Sequence, residues 1–228
     1  MAAPSVRLLA SRATGLLAPP LCVLCRRPLP RAPAGVGLCP SCAAAIARAP
    51  GLALRGEGID AGIAALPYSG PGRRLVAALK FSRLIAVAGL AAALIESRAP
   101  ADVLRGAIVP VPPAPLRHAA RGFDPAGELA LALAGATGLP TSEALRRRDL
   151  GHQRGRSRSR RLQRPPAVVV AGRVPSEALL IDDVTTTGAT LSACAAALRG
   201  AGCGWVGAVT LAAVRGEAQG LPAGTGRA

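Results

Sequence analysis

Two adjacent carboxylates, Asp182 and Asp183, are the side chains of this sequence with the clearest capacity for chemistry. They are the only neighbouring pair among its 12 acidic residues. Two like charges side by side are unfavourable unless a cation or a hydrogen-bond donor lies against them. Ionised carboxylates accept hydrogen bonds from a sugar diol and help to hold a divalent cation. The pair therefore predicts a binding site, with a solvated acid pair on an ordinary turn as the alternative.

The residues after the acidic pair have the composition of a phosphate-binding loop. Its threonines supply hydroxyl donors, and its glycine can adopt backbone angles closed to other residues. An alanine-rich helical pattern follows, and the free N–H groups at a helix N-terminus bind anions. A phosphate cup beside an acceptor for sugar hydroxyls suits a ribose 5-phosphate. The loop consists of Thr185, Thr186, Thr187, Gly188, Ala189 and Thr190.

Two predicted strands must position these groups. The apolar run 178–181 leads into the acidic pair and is typical of a strand buried on both faces of a parallel sheet. Another strand is predicted at 106–111, and Val111 and Pro112 mark its end. In open α/β sheets, ligands bind in the crevice beyond the carboxyl ends of the strands. Arg117 and Arg121 follow the second strand and would face this crevice, unless they are packing arginines on a surface turn.

Cysteine spacing near the N-terminus indicates a structural metal site. Two C-x-x-C pairs, Cys22 with Cys25 and Cys39 with Cys42, are separated by thirteen residues. Each pair can place two thiolates on one tetrahedral zinc, and four thiolates leave no open position for catalysis. The intervening segment is rich in Pro, Gly and Arg and needs such a staple to fold. A pair of disulfides is the alternative, although no secretory context favours it.

Composition limits the class of protein. The chain has 228 residues, half of them apolar, which is enough for one full domain and a small appendage. The longest apolar stretch, 85–95, is too short to cross a membrane. The apolar run near the N-terminus is also shorter than that of a secretory signal. We therefore expect a cytoplasmic protein with no membrane insertion.

Positive charge is concentrated in one segment. The net charge is +16, and residues 146–164 contain nine arginines and one acid, which account for half of it. This segment is too polar to bury itself and predicts a flexible basic loop. It would serve as an arm for nucleic acid, as a lid over a pyrophosphate, or as a solvated loop without a specific role. The single lysine, Lys80, is predicted to add a compact ammonium to a site for pyrophosphate, with retention of the lysine by chance as the alternative.

The string Leu-Leu-Ile-Asp-Asp-Val-Thr-Thr-Thr-Gly-Ala-Thr resembles the phosphoribosyl-pyrophosphate loop of type I phosphoribosyltransferases. The order of motifs along most of residues 16–215 resembles the ComF family of competence-associated, phosphoribosyltransferase-like proteins. Asp124, Pro125 and Ser82 depart from the pattern of that family. The motifs are the four-cysteine ribbon, Leu79-Lys80-Phe81, Val109-Pro110-Val111-Pro112, Arg121-Gly122-Phe123-Asp124, the arginine segment with Gln153, and the acid–threonine loop.

The resemblance implies a type I phosphoribosyltransferase fold and displacement of pyrophosphate from C1 of an activated ribose, with Mg²⁺. It implies that Asp182 and Asp183 bind the ribose hydroxyls and that the loop to Thr190 holds the 5-phosphate. Lys80 and Arg121 would act at the reacting centre, and Arg117 with Val111–Pro112 would bind substrate.

The alternative from another class is a non-catalytic accessory protein. It would bind single-stranded DNA through the zinc ribbon and the arginine segment, or work with DNA-uptake and recombination proteins. The chain has only four aromatic residues, too few for a stacking platform, so such binding would depend on phosphate contacts.

The pattern of strands and helices indicates an α/β protein with a mostly parallel sheet. Residues 1–20 are expected to be a helix or tail, 21–55 a zinc ribbon, 56–215 a phosphoribosyltransferase-like domain and 216–228 a disordered tail. Within the main domain, strands are predicted at 59–68, 106–111, 167–170, 178–182 and 204–214, and helices at 71–97 (with a break near Ser82–Arg83), 124–136 and 189–199.

Overall fold

A computed structural model describes residues 20–29, 37–81, 85–113, 123–148 and 167–214. The helices in these ranges are α1 (Pro40–Arg48), α2 (Gly70–Phe81), α3 (Ile85–Arg98), α4 (Pro125–Thr137) and α5 (Ala189–Gly200). The strands are β1 (Leu52–Ala53), β2 (Ala61–Pro67), β3 (Ala107–Pro110), β4 (Leu145–Arg147), β5 (Val168–Val170), β6 (Glu177–Thr185) and β7 (Trp205–Ala213). Both terminal tails, Arg117, Arg121 and most of the basic segment lie outside the described residues.

Five strands form the main sheet, in the order β1-β2-β7-β6-β3. The last four run parallel, and β1 pairs antiparallel with β2 at one edge. Parallel sheets are covered on both faces, which explains why these strands are nearly continuous runs of Ala, Val, Leu and Ile. The predicted α/β class with a mostly parallel sheet is confirmed.

Alternating side chains of the sheet pack into two hydrophobic clusters. Leu179 and Ile181 of β6 belong to the cluster that also contains the buried residues of α2, α3 and α4. Leu180 belongs to the cluster that contains the buried residues of α5 and of the β4–β5 pair. Successive side chains of a strand point to opposite faces, so each face of the sheet has its own layer of cover.

Helix α4 begins as its sequence predicts. The N–H of Ala126 donates to Asp124 Oδ1 at 3.0 Å, and Pro125 occupies the first helical turn. Proline at this position costs no hydrogen bond, because the first N–H groups of a helix have no acceptor within it. The helix ends at Gly138, whose φ of 74° is the left-handed conformation that glycine adopts without strain.

Four elements differ from the sequence prediction, and one of them is the short edge strand β1, which was not predicted. Strand β6 extends to Thr185 rather than 182, because β7 remains paired with it as far as the Thr185–Ala213 register. Helix α1 was not predicted. Arg146 and Arg147, assigned to the flexible basic loop, instead lie in β4, because Arg147 pairs with Val168 of β5 and Leu145 is buried.

No helix in the part of the chain that the structure describes is long and apolar enough to span a membrane.

Candidate functional site

The two carboxylates of the acidic pair lie within β6 and belong to opposite faces of the sheet. Asp183 follows the odd-numbered side chains Leu179 and Ile181 toward the layer of α2, α3 and α4. Asp182 follows Leu180 toward α5 and lines a cleft there. Asp183 is 7% exposed and Asp182 is half-buried. The alternation of a strand therefore separates two charges that are neighbours in sequence.

Lys80 supplies the cation for the acidic pair. Its ammonium Nζ lies 3.0 Å from Oδ1 of Asp183, and both side chains are largely shielded from solvent. Lys80 is in the last turn of α2, and the buried face of that helix, with Leu75 and Leu79, fixes where the lysine stem begins. The structure thus brings together two of the residues predicted to act at the site, and the lysine contacts an acid.

Asp182 binds its proton more tightly than an ordinary carboxyl. The N–H of Asp183 donates to Oδ1 of Asp182 at 2.8 Å. Burial and the adjacent Asp183 charge raise the pKa of Asp182 to about 8, with Asp124 adding to the increase and Lys80 opposing it. A carboxyl with this pKa is mostly protonated at neutral pH, so it can donate as well as accept a hydrogen bond.

A cleft begins at Asp182 and follows the loop to the first turn of α5. It holds about 240 Å³ of free space, part of it open to solvent. Gly188 has a φ of 67° and precedes the helix without a capping side chain, so the first N–H groups of α5 face the loop. The residues that line the cleft are Asp182, Val184, Thr185, Thr186, Thr187, Gly188, Ala189, Thr190 and Leu191.

The end of β3 lies beside the acidic pair. Pro110 is in register with Ile181, and the N–H of Val111 donates to the carbonyl of Ile181 at 2.9 Å. Val111 and Pro112 are buried, and the carbonyl of Pro112 accepts from Nε of Arg147 at 3.0 Å. Sequence reasoning did not single out Arg147, although its spacing of two from the buried Leu145 is a strand signal.

The four cysteines of the two C-x-x-C pairs form one cluster. Their sulfur atoms all lie within 4.8 Å of one another. A tetrahedral zinc with Zn–S distances of about 2.3 Å places its sulfurs roughly 3.8 Å apart, so the cluster fits a metal ion of this kind. Cys25 and Cys39 sulfurs are 3.6 Å apart, and the N–H of Cys39 donates to the sulfur of Cys22 at 3.4 Å.

Local structure explains how the cysteines converge. Cys39 is the N-cap of α1 with Pro40 at the first helical position, so Cys42 returns to the same side one turn later. The Ser41 hydroxyl lowers the pKa of the Cys39 thiol to about 6, whereas burial raises the pKa of Cys42 to about 12. A thiolate is the form that binds metals, and the lowered pKa of Cys39 favours that form.

Arg98 joins the cysteine cluster to the sheet, and sequence reasoning missed it. It ends α3, and its guanidinium donates to the carbonyls of Ile46, Ala49 and Ala65 at 2.5, 2.6 and 2.5 Å. Two of these carbonyls belong to the end of α1 or the residue after it, and the third belongs to β2. One arginine therefore ties three elements together, a tertiary contact with no local signal.

The fold and the site define an α/β protein with an acidic pair beside a hydroxyl-lined helix N-terminus, and with a four-cysteine cluster. No family model and no curated protein matches the sequence. Among solved structures, the chain is similar to one described as the allosteric regulatory enzyme of purine biosynthesis, at 18% identity and a TM-score of 0.37. The similarity covers 54% of this chain and only 25% of that enzyme's chain.

Proposed function

We propose that this chain binds phosphoribosyl pyrophosphate with Mg²⁺ and transfers its ribosyl 5-phosphate group to a nucleophile, with release of pyrophosphate. The observation that carries the proposal is the cleft that runs from Asp182 to the N-terminus of α5. A 5-phosphate and the ribose hydroxyls lie a few bonds apart in one ligand, so a single sugar phosphate can meet both ends of this cleft. The resemblance of residues 179–190 to the phosphoribosyl-pyrophosphate loop supports the same ligand.

Each group of the site has a role in this proposal. The N–H groups of the first turn of α5 and the threonine hydroxyls bind the 5-phosphate. Asp182, which lines the cleft, binds the ribose hydroxyls. Lys80 neutralises Asp183 on the other face of β6, so that the pair tolerates burial. Val111 and Pro112 border the pyrophosphate end, where Arg117 and Arg121 would add positive charge.

The proposed reaction is a displacement at C1 of the ribose. The bond from C1 to the pyrophosphate oxygen breaks, and the nucleophile forms its bond to the same carbon and loses its proton to the medium. Positive charge grows on the sugar and negative charge on the leaving group, so preorganised charges on each side lower the barrier. Bound Mg²⁺ supplies charge neutralisation on the pyrophosphate.

Calorimetry tests the proposal. Wild-type protein titrated with phosphoribosyl pyrophosphate and Mg²⁺ is expected to bind, and Asp182→Asn/Asp183→Asn to bind at least about tenfold more weakly, since the carboxyl group that meets the sugar hydroxyls is lost. Asp102→Asn, at an exposed acid of a turn, is the matched control. Absence of binding by the wild type would sink the proposal. Pyrophosphate release measured with a panel of bases then separates transfer from binding alone.

We also propose that the cysteine cluster holds one structural zinc. Four sulfurs within 4.8 Å support this assignment, and four thiolates complete a tetrahedron without an open position. Metal analysis of purified protein is expected to give about one zinc per chain and a large loss in Cys22→Ser. Cys203→Ser, a buried cysteine outside the cluster, is the control and should keep the metal. Equal metal content in the two variants would contradict the assignment.

A second candidate function is phosphate-directed binding of single-stranded DNA in a non-catalytic role, alone or beside DNA-uptake or recombination proteins. The observation that favours it is that the first 56 residues contain no acid, while Arg26, Arg27 and Arg48 are exposed around the cysteine cluster. Such binding weakens steeply as salt rises. Affinity for an oligonucleotide that is absent, or unchanged between low and high salt, would exclude it.

A further inference from the structure

Arg147 differs from the arginines beside it in where its side chain lies. In β4, Leu145 is buried, Arg146 is exposed and Arg147 is half-buried, which is the alternation of a strand with one face against the protein. Arg147 therefore shares the inward face of the β4–β5 pair with Leu145. That pair packs in the same cluster as Val109, Val111 and the buried face of α5.

The segment that Arg147 contacts has few means of holding itself in place. After β3, the N–H of Val111 donates to Ile181, and the next two residues, Pro112 and Pro113, have no N–H to donate. The carbonyl of Pro112 instead accepts from Nε of Arg147 at 3.0 Å. A side chain from β4 thus bonds the carbonyl of a segment whose two prolines have no N–H groups with which to anchor it.

The contact lies close to the acidic pair. Burial raises the pKa of the Cys194 thiol to about 12, and among nearby charges Asp182 adds to the increase while Arg147 opposes it. Cys194 is in α5, so the guanidinium of Arg147 lies within electrostatic reach of the helix that closes the cleft. Val111, at the start of the proline segment, is itself bonded to β6 one residue before Asp182.

We infer that Arg147 is a positioning residue: its Nε hydrogen bond to Pro112 holds the Val111–Pro113 segment in the conformation that borders the pyrophosphate end of the site. The inference rests on the proposed function for the identity of the ligand. The inference attributes the positioning of the Val111–Pro113 segment to the geometry of one N–H group and not to the charge of the arginine side chain. Arg147 acts through Pro112, without touching substrate.

Two substitutions separate hydrogen bond from charge. Gln has its amide nitrogen at the same position along the side chain as Nε of arginine, so Arg147→Gln keeps a donor and loses the charge. Arg147→Lys keeps the charge and places a methylene where the donor was. Arg173→Gln, at an exposed arginine three residues beyond β5, controls for the loss of one positive charge.

Amide hydrogen exchange at Val111, followed by NMR without ligand, measures the positioning directly. Exchange is expected to be about tenfold faster in Arg147→Lys and close to wild type in Arg147→Gln and Arg173→Gln. Unchanged exchange in Arg147→Lys would overturn the inference. This measurement does not depend on the ligand. If exchange responds as expected but the protein does not bind phosphoribosyl pyrophosphate, the positioning role stands and the proposed function is wrong.

Calorimetry then tests the consequence for binding. Arg147→Lys is expected to bind phosphoribosyl pyrophosphate with Mg²⁺ about tenfold more weakly, and ribose 5-phosphate, which lacks the pyrophosphate, as the wild type does. Arg147→Gln should stay within about threefold of wild type for both ligands. The reverse order, with Arg147→Gln weak and Arg147→Lys normal, would show that the charge contacts the ligand and would contradict a positioning role.

Discussion

Asp182 and Asp183 face different neighbours, and those of Asp182 favour its protonated form. Asp183 lies 3.0 Å from the ammonium of Lys80 and is held beside that cation. Asp182 lies on the other face of β6, where burial and the charge of Asp183 raise its pKa to about 8. The protonated form of Asp182 can donate as well as accept a hydrogen bond, which suits sugar hydroxyls that do both.

The raised pKa of Asp182 gives stability a pH dependence. Between the ordinary value of 3.8 and about 8, the folded chain holds a proton that the unfolded chain has released. The contribution of Asp182 to the free energy of unfolding therefore falls as pH rises through this range. Asp182→Asn cannot titrate, and its side-chain oxygen can still accept from the N–H of Asp183.

Urea unfolding at several pH values between about 5 and 8 measures this effect. The stability of Asp182→Asn relative to wild type is expected to improve steadily as pH rises. The control is Asp102→Asn, which also removes one carboxyl group, but from an exposed position. Parallel curves for wild type and Asp182→Asn would contradict the assigned pKa.

Removal of the Lys80 charge is expected to destabilise the fold. In Lys80→Met, the carboxylate of Asp183, which is 7% exposed, loses its nearby cation. Urea unfolding should show a loss of about 3 kcal/mol, because a buried carboxylate loses the cation that lies 3.0 Å from it. Adding Asp183→Asn should recover part of that loss, as expected for a coupled pair.

The control for this prediction is Arg74→Met, which removes a charge from an exposed position on the same helix. Its effect should stay within about 0.5 kcal/mol. A loss in Lys80→Met no larger than in the control, or no recovery in the double variant, would show that the ion pair does not stabilise the folded chain.

At the scale of elements, Arg98 connects α1 to the sheet through hydrogen bonds. Arg98→Met keeps the apolar stem but leaves the carbonyls of Ile46, Ala49 and Ala65 without this donor. We expect a loss of about 3 kcal/mol in urea unfolding, since hydrogen bonds from a charged donor are lost at a half-buried site. Arg98→Lys should recover less than half, because one ammonium cannot reach three carbonyls in this geometry.

Arg48→Met, at an exposed arginine in the last turn of α1, is the matched control and should be close to neutral. If Arg98→Lys were as stable as the wild type, the positive charge, and not the forked shape of the guanidinium, would account for the stabilising contact between α1 and the sheet.

The elements differ in how far the sequence could predict them. The β6–loop–α5 unit was predictable because its strand, its glycine turn and its helix follow one another directly in the sequence, between residues 177 and 200. Strand β5 was predicted at 167–170, but its partner β4 was not, because β4 has only three residues and forms by pairing with β5 across residues 148–167. The sequence indicated that the acidic pair needs a cation nearby. It could not show that Lys80 pairs with Asp183, because these two residues are far apart in sequence and only the fold brings them together.

At the scale of the whole molecule, the cysteine cluster shares a hydrophobic core with the sheet. Cys22, Leu24 and Ile46 belong to the same buried cluster as Leu66 and Leu75. The predicted ribbon at 21–55 and the main domain are therefore expected to unfold together, although they were assigned as separate domains.

Chelation tests this coupling. Calorimetric unfolding of the metal-loaded protein should give one transition, and removal of the metal should lower its midpoint by about 10 °C or more, because metal binding contributes directly to folding. The Cys203→Ser protein, with its cluster intact, should respond to chelator as the wild type does. A main transition unchanged by chelator would show that the cluster folds independently of the sheet.

The central claim is that the cleft binds the phosphate of a sugar phosphate at the N-terminus of α5 and its hydroxyls at Asp182, the member of the acidic pair that lines the cleft. The most direct measurement compares the affinities of ribose 5-phosphate and 2-deoxyribose 5-phosphate for wild type and for Asp182→Asn/Asp183→Asn. We predict that wild type prefers ribose 5-phosphate by about tenfold and that the double variant loses this preference while both ligands still bind through the phosphate. Equal affinities in the wild type, or no binding of either sugar phosphate, would contradict the account.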